Sequence, residues 1–105
     1  MSKLKVTLTG QGSIDNAVIY LDDPSDTIAY YLNPVTDTDW ESDPISIPMS
    51  DGDPLQYDLH VVAFSGTKFT CTITDGDSGK SLKLDGITGT KIKNRANISG
   101  SQTLS

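Results

Sequence analysis

Hydrophobic and polar residues alternate over several short stretches of this chain. The first stretch runs from Lys3 to Thr9, where Leu4, Val6 and Leu8 are separated by Lys or Thr. Successive side chains of a β-strand point to opposite faces, so this period of two predicts a strand with one buried face. The same alternation, or a short apolar run between turn residues, predicts six further strands, at Asn16–Leu21, Thr27–Asn33, Pro44–Pro48, Leu55–Phe64, Thr67–Thr74 and Lys80–Leu84.

Turn-forming residues separate these strands, and no stretch has the period of a helix. Gly, Asp, Asn, Ser and Pro fill the intervals, as in Asp22-Asp23-Pro24-Ser25 and in Asp75-Gly76-Asp77-Ser78-Gly79. A length of 105 residues has room for one hydrophobic core. We therefore predict a single all-β domain over residues 1–105, an antiparallel β-sandwich of seven or eight short strands, with a small β-barrel as the alternative.

The pattern weakens in two segments. Residues from Val35 to Pro54 are rich in Asp, Thr, Ser and Pro, and only the short strand between Pro44 and Pro48 stands out there. The segment from Gly89 to Leu104 is rich in Gly, Ser and Thr. In that last segment we expect Ile92, Ala96 and Ile98 to be the buried positions.

The beginning of the chain does not have the apolar run of a secretory signal peptide, because charged and apolar residues alternate from Ser2 onward. No stretch is long and apolar enough to cross a bilayer. The protein is therefore either cytoplasmic or has lost a leader, and the lack of a disulfide slightly favours the cytoplasm. Membrane insertion is not expected. Cys71 is the only cysteine, which excludes a disulfide within the chain, and its register with Phe69 and Ile73 predicts a buried thiol.

Charge is distributed unevenly along the sequence. No Lys or Arg occurs between Val6 and Thr67, whereas that stretch holds 11 of the 14 acidic residues, and the net charge of the chain is −6. Binding to nucleic acid depends on basic residues that neutralise phosphates, so a nucleic-acid ligand is not expected. Asp is a common turn residue, and solvation of exposed turns explains much of the acidity without any binding role.

The acidic turns also permit a calcium hypothesis. Calcium takes six to eight oxygen ligands from carboxylates, carbonyls and water, and loops from distant parts of a sandwich can meet at one end. A bound cation would relieve the repulsion between clustered carboxylates. The candidate ligands are Asp22, Asp23, Asp26, Asp37, Asp39, Asp51 and Asp53, and calcium is the candidate cofactor.

Aromatic residues beside carboxylates suggest a carbohydrate ligand. Trp40 lies between Asp39 and Glu41, and an exposed ring can stack on a sugar while carboxylates accept hydroxyl hydrogen bonds. The alternative is that Trp40 covers the open end of the core. Tyr30 and Tyr31 must face opposite sides of their strand, so one is buried and the other is exposed. The candidate ligand-binding residues are Trp40, Tyr31, Asp39 and Glu41.

No catalytic group can be assembled from the sequence. His60 is the only histidine, and its position beside Leu59 and Val61 places it on the polar face of its strand. General acid–base chemistry would require a nucleophile and an orienting carboxylate nearby, and no motif groups them. We therefore expect that the protein is not an enzyme.

Three functional classes remain. The first is a binding module whose acidic loop rim takes calcium, a carbohydrate or both. The second is an acidic protein that docks a basic protein partner, as an inhibitor or immunity protein would, because high net charge steers such association. The third is a structural subunit that assembles through sheet edges, which makes an oligomer one of the alternatives.

Overall fold

The computed structural model describes residues 2–23, 25 and 27–105, and it shows two antiparallel sheets packed face to face. The predicted all-β sandwich is confirmed, and the sheets of the described chain do not close into a barrel. No helix in this part of the chain is long and apolar enough to cross a membrane.

Ten strands make up the two sheets in the part of the chain that the structure describes. They are β1 (Ser2–Gly10), β2 (Ile14–Leu21), β3 (Tyr30–Tyr31), β4 (Asn33–Pro34), β5 (Asp39–Glu41), β6 (Ile45–Ile47), β7 (Pro54–Ala63), β8 (Lys68–Asp75), β9 (Ser81–Ile87) and β10 (Arg95–Thr103). Sheet A has the order β4-β5-β1-β8-β9, and β6 also pairs with β1. Sheet B has the order β10-β7-β2-β3.

The core lies between the sheets and is built from the alternating apolar positions. Leu4, Val6 and Leu8 face inward from β1, beside the odd-numbered residues of β8 in the same sheet, and the odd-numbered residues of β7 face them from the other sheet. The fully or nearly fully buried residues of these three strands are Leu4, Val6, Leu8, Leu55, Leu59, Val61, Ala63, Cys71 and Ile73. Cys71 is therefore a core residue, as its register predicts.

The predicted strand at Thr27–Asn33 is wrong in its extent, because the chain changes sheets within it. β3 pairs with β2 in sheet B, and β4 pairs with β5 in sheet A. Leu32 lies between them, is buried, and donates its backbone N–H to the carbonyl of Ala17 at 3.0 Å. The apolar run therefore marks a crossing that covers one open side of the sandwich.

Two short strands share one side of β1. β5 pairs with Thr7–Thr9, and β6 pairs with Ser2–Leu4. The predicted short strand between Pro44 and Pro48 is thus confirmed as β6, whereas β5 lies in a segment that the sequence pattern leaves irregular.

The last strand differs most from expectation. β10 is nine residues long and pairs with nine of the ten residues of β7. Ala96 and Ile98 face inward and are half-buried, but the expectation that Ile92 is buried is wrong, since 63% of its surface is exposed. Leu104 is buried in its place, and Ser105 exchanges two backbone hydrogen bonds with Ser81 at the start of β9.

Candidate functional site

Trp40 does not form an exposed platform. It lies opposite Leu8 in the pairing of β5 with β1, so both side chains face the core. The ring is partly buried and packs against the core cluster. Its Nε1 atom is buried, and no hydrogen-bond acceptor among the described residues reaches it. The position matches the alternative that Trp40 covers the core.

The other predicted ligand-binding residues do not share a face of the sandwich with Trp40. Asp39 and Glu41 flank it in β5 and face outward from sheet A, where the carboxylate of Glu41 lies 3.3 Å from Lys5 Nζ. Tyr31 is on the outer face of sheet B, opposite Val18, and 63% of it is exposed. Tyr30 packs against the core, which confirms that the two tyrosines face opposite ways. The structure does not bring the four predicted residues together.

The acidic turns are divided between the two ends of the sandwich. Asp39 lies opposite Thr9, whereas β6, which precedes Asp51 and Asp53, reaches Ser2 at the other end of β1. Seven residues of strand separate these positions, or roughly 20–25 Å. Asp37 is at the Asp39 end, since its carbonyl accepts the N–H of Ile14.

A second group of acidic residues shares the opposite end. The N–H of Asp22 bonds to the carbonyl of Gln56, close to the start of β7, which Asp53 immediately precedes. Lys80 donates to both carboxylate oxygens of Asp51 at 2.8 and 3.0 Å, which places the loop before β7 beside the β8–β9 turn. We call this the acidic end, and its described residues are Asp22, Asp23, Asp51, Asp53, Asp75 and Asp77.

Several of these carboxylates accept hydrogen bonds from residues of their own turns. Asp53 accepts the N–H of Ser50 at 2.9 Å, and Asp75 accepts the N–H of Asp77 and the hydroxyl of Ser78. Among the residues that the structure describes, no group of three or more His, Cys, Asp or Glu side chains is arranged to hold a metal ion. Asp26, the remaining predicted calcium ligand, lies outside the described residues.

Asp23 is half-buried, and its carboxylate accepts several hydrogen bonds. It accepts the N–H groups of Ile28 and Thr27, each at 2.7 Å, and the hydroxyl of Thr27. The hydrogen bond from Ile28, followed by those from Thr27, outweighs the effect of burial and lowers the pKa of Asp23. The carboxylate therefore ties Thr27 and Ile28 to the residue that follows Asp22 after β2.

A polar groove lies on the outer face of sheet B, next to this loop. Tyr20, Asp58 and Ser99 stand directly opposite one another on β2, β7 and β10, so their side chains form a row across three strands. The groove has a volume of about 460 Å³. Its other lining residues are Asp23, Gln56, Tyr57, Gly100 and Ser101.

Gly100 lies opposite Tyr57, and the position of its missing side chain is on the core-facing side of sheet B, beneath the groove. A Cβ atom at this position would lie 2.8 Å from the hydroxyl oxygen of Tyr57, so a larger residue would collide with the ring beneath it. Tyr57 itself is buried and belongs to the core. The groove therefore has a floor fixed by core packing and walls made of outward-facing polar side chains.

His60 lies beside the carboxylate at the centre of the row. The Nε2 atom of His60 lies 3.1 Å from Asp58 Oδ1, and the ring of His60 meets that of Tyr20 nearly at right angles, with centroids 5.7 Å apart. Only 17% of the Asp58 side chain is exposed, and no hydrogen-bond donor among the described residues satisfies its buried Oδ1 in good geometry. The carboxylates of Asp58 and Asp23, the phenol of Tyr20, an amide and two serine hydroxyls thus line one groove.

Sequence reasoning missed this groove, although part of the signal was present. The outward register of Asp58 and His60 follows from the alternation in the longest strand. What the sequence does not contain is the pairing of β7 with both β2 and β10, which puts Tyr20 and Ser99 on either side of Asp58.

The thiol of Cys71 is buried in the core. Burial raises its pKa to about 12, because the apolar surroundings disfavour the thiolate.

Comparison with protein-family models, with curated proteins and with solved structures finds no match to this chain.

Proposed function

We propose that this domain is a non-enzymatic binding module that takes a carbohydrate on the outer face of sheet B. The observation that supports the proposal is the row of Tyr20, Asp58 and Ser99 above a floor fixed by Tyr57 and Gly100. Sugar sites combine an aromatic surface with a few fixed polar groups that bond to hydroxyls. Side chains on three adjacent strands of a rigid sheet are held in place without a ligand.

The charge of the groove selects the class of sugar. Asp58 and Asp23 both line it, and no Lys or Arg is among its described lining residues. Carboxylates accept hydrogen bonds from hydroxyls and attract amino groups, whereas they repel the carboxylates of uronic and sialic acids. The favoured ligands are therefore neutral oligosaccharides and oligosaccharides that contain amino sugars.

A glycan array tests the proposal, followed by calorimetric titration with the oligosaccharide that binds best. We expect binding to neutral or amino-sugar glycans and none to sialylated or uronic-acid glycans. In the titration, Tyr20→Ala and Asp58→Asn should each weaken the affinity about tenfold or more, since each removes a contact worth about 1.4 kcal/mol or more.

Tyr31→Ala is the matched control. Tyr31 is also on the outer face of sheet B but does not line the groove, so its loss should leave the affinity unchanged. Far-ultraviolet circular dichroism and thermal melting must show that each variant is folded. The proposal is overturned if no glycan on the array binds, or if Tyr31→Ala abolishes binding while Tyr20→Ala does not affect it.

A further inference from the structure

A second groove lies between β9 and β10, the neighbouring edge strands of the two sheets. Backbone hydrogen bonds link the two strands near their ends. The N–H of Gly89, which follows β9, bonds to the carbonyl of Arg95 at 2.9 Å, and Ser105, which follows β10, exchanges two hydrogen bonds with Ser81. Between these links the strands belong to different sheets. The groove there has a volume of about 540 Å³, within the range of pockets that hold small molecules.

The floor of this groove is apolar, and core packing sets its shape. Ala96 and Ile98 line it, face inward from β10 and pack against the core cluster. Gly86 lines it from β9, and a Cβ atom there would lie 2.8 Å from Cδ1 of Ile98. The side chain of Ile98 therefore reaches across from sheet B to the backbone of sheet A and closes the groove from below.

Exposed isoleucines border the groove above this floor. Ile92, in the loop between β9 and β10, has 63% of its surface exposed, and Ile87, at the end of β9, has 36% exposed. The loop is held in place, because the N–H of Arg95 bonds to the carbonyl of Ile92 and Asn94 Oδ1 accepts the N–H and the hydroxyl of Ser65. A ligand with an apolar chain would remove this surface from water without having to order the loop.

The charged residues of the lining favour an anion. Lys91 and Arg95 line the groove, and neither side chain forms an ion pair within the described chain. Asp85 also borders it, but its carboxylate accepts the hydroxyl of Thr70 at 2.6 Å on the outer face of sheet A. Two unpaired cations against one engaged carboxylate make this groove locally positive, in a chain whose net charge is −6.

We propose that this groove binds an aliphatic carboxylate, the class of ligand to which medium-chain fatty acids belong. The hydrocarbon chain lies on Ala96 and Ile98 and is covered by Ile92. The carboxylate binds the guanidinium of Arg95, whose planar fork can donate two parallel hydrogen bonds, and Lys91 adds a second positive charge. Apolar floor and cationic rim together select this class over neutral hydrocarbons and over cationic amphiphiles.

Two-dimensional ¹H–¹⁵N NMR tests the proposal, with sodium decanoate added below the concentration at which it forms micelles. We expect saturable shifts of the amide signals of residues 85–87, 90–92 and 95–98. Decyltrimethylammonium has the same chain and the opposite charge, so it should not shift these signals. Hexanoate should bind about tenfold or more weakly than decanoate, because four fewer methylene groups are buried.

Lys93→Gln is the matched control for the cations of the rim. Arg95→Gln and Lys91→Gln should each weaken decanoate binding about fivefold or more, since each removes a charge-assisted contact. Lys93 is exposed in the same loop but does not line the groove, so Lys93→Gln changes the net charge equally and should leave the affinity unchanged. Ile92→Ser should also weaken binding, and the exposure of Ile92 means that this variant should fold.

The proposal stands apart from the sugar groove, with which it shares one lining residue, Ser99. Tyr20→Ala should therefore keep the affinity for decanoate, and Arg95→Gln should keep the affinity for glycans. The proposal is wrong if decanoate gives no saturable shifts up to about 1 mM, if decyltrimethylammonium shifts the same signals equally, or if Lys93→Gln weakens binding as much as Arg95→Gln does.

Discussion

Val6 and Ser42 exchange two hydrogen bonds across the gap between β5 and β6. The N–H of Ser42 donates to the Val6 carbonyl at 2.8 Å, and the N–H of Val6 donates to Ser42 Oγ at 3.0 Å. Both residues are buried. The serine side chain therefore supplies the acceptor that a continuous partner strand would otherwise provide in the middle of β1.

Ser42→Ala should lower the free energy of unfolding by about 1–3 kcal/mol, because it leaves the buried N–H of Val6 without an acceptor. Urea denaturation followed by circular dichroism measures this value. Ser46→Ala, at an exposed position of β6, is the control and should change stability by less than about 0.5 kcal/mol. Equal effects of the two substitutions would show that the hydrogen bond from Val6 to Ser42 does not contribute to the free energy of unfolding.

Gly86→Ala should destabilise the protein by overpacking. A Cβ atom at Gly86 would lie 2.6 Å from Cζ of Phe69 and 2.8 Å from Cδ1 of Ile98, where β9 approaches β10. We expect a loss of about 1–3 kcal/mol in urea denaturation. Gly76→Ala is the control, since the nearest atom to its Cβ would be the Lys3 carbonyl oxygen at 3.5 Å. If Gly86→Ala leaves the free energy of unfolding unchanged, β9 does not pack this closely against Phe69 and Ile98.

The hydrogen bonds to Asp23 should make stability depend on pH. Its pKa is lower in the folded protein than its ordinary value, so its contribution is complete above about pH 4 and is lost as pH falls through the lowered pKa. Asp23→Asn should lower the melting temperature at pH 7, and the difference should shrink as the pH approaches about 2. Asp43→Asn, at an exposed position outside this loop, is the control. A difference that stays constant with pH would contradict the assignment.

The Cys71 thiol should be inert in the folded protein. A pKa of about 12 leaves little thiolate at pH 8, and the surrounding core blocks access. A colorimetric disulfide reagent should therefore react within seconds in strong denaturant and only at the rate of unfolding in buffer. Fast reaction in buffer would show that β8 opens locally.

The alternation of apolar residues was sufficient to predict most of the core. Leu4, Val6 and Leu8 are buried as predicted, and so are Phe69, Cys71 and Ile73, because a period of two leaves only one face for burial. The long strand β7 and the turn at residues 75–79 also follow from local residue types. These features depend on neighbours in sequence.

The remaining features depend on which strands pair. β10 has few apolar residues, and its strand structure comes from nine successive pairs with β7 and not from its own pattern. Trp40 looks like an exposed aromatic beside carboxylates, yet the pairing of Asp39 with Thr9 turns its ring inward. The groove at Tyr20, Asp58 and Ser99 likewise exists only once three strands that are distant in sequence lie side by side.

The central position of β1 in sheet A sets the order in which the chain can fold. Its principal partner, β8, comes about 60–70 residues later in the chain, so the pairing of Leu4 with Asp75 cannot form until Asp75 has been synthesised. Loops of this size have to close before most of the core is buried, and sandwiches rich in such distant contacts fold in milliseconds to seconds. A chain still being synthesised has only the short β5 and β6 available to β1 until residue 75 has emerged. We therefore expect a late, cooperative folding step and a long-lived unfolded nascent chain.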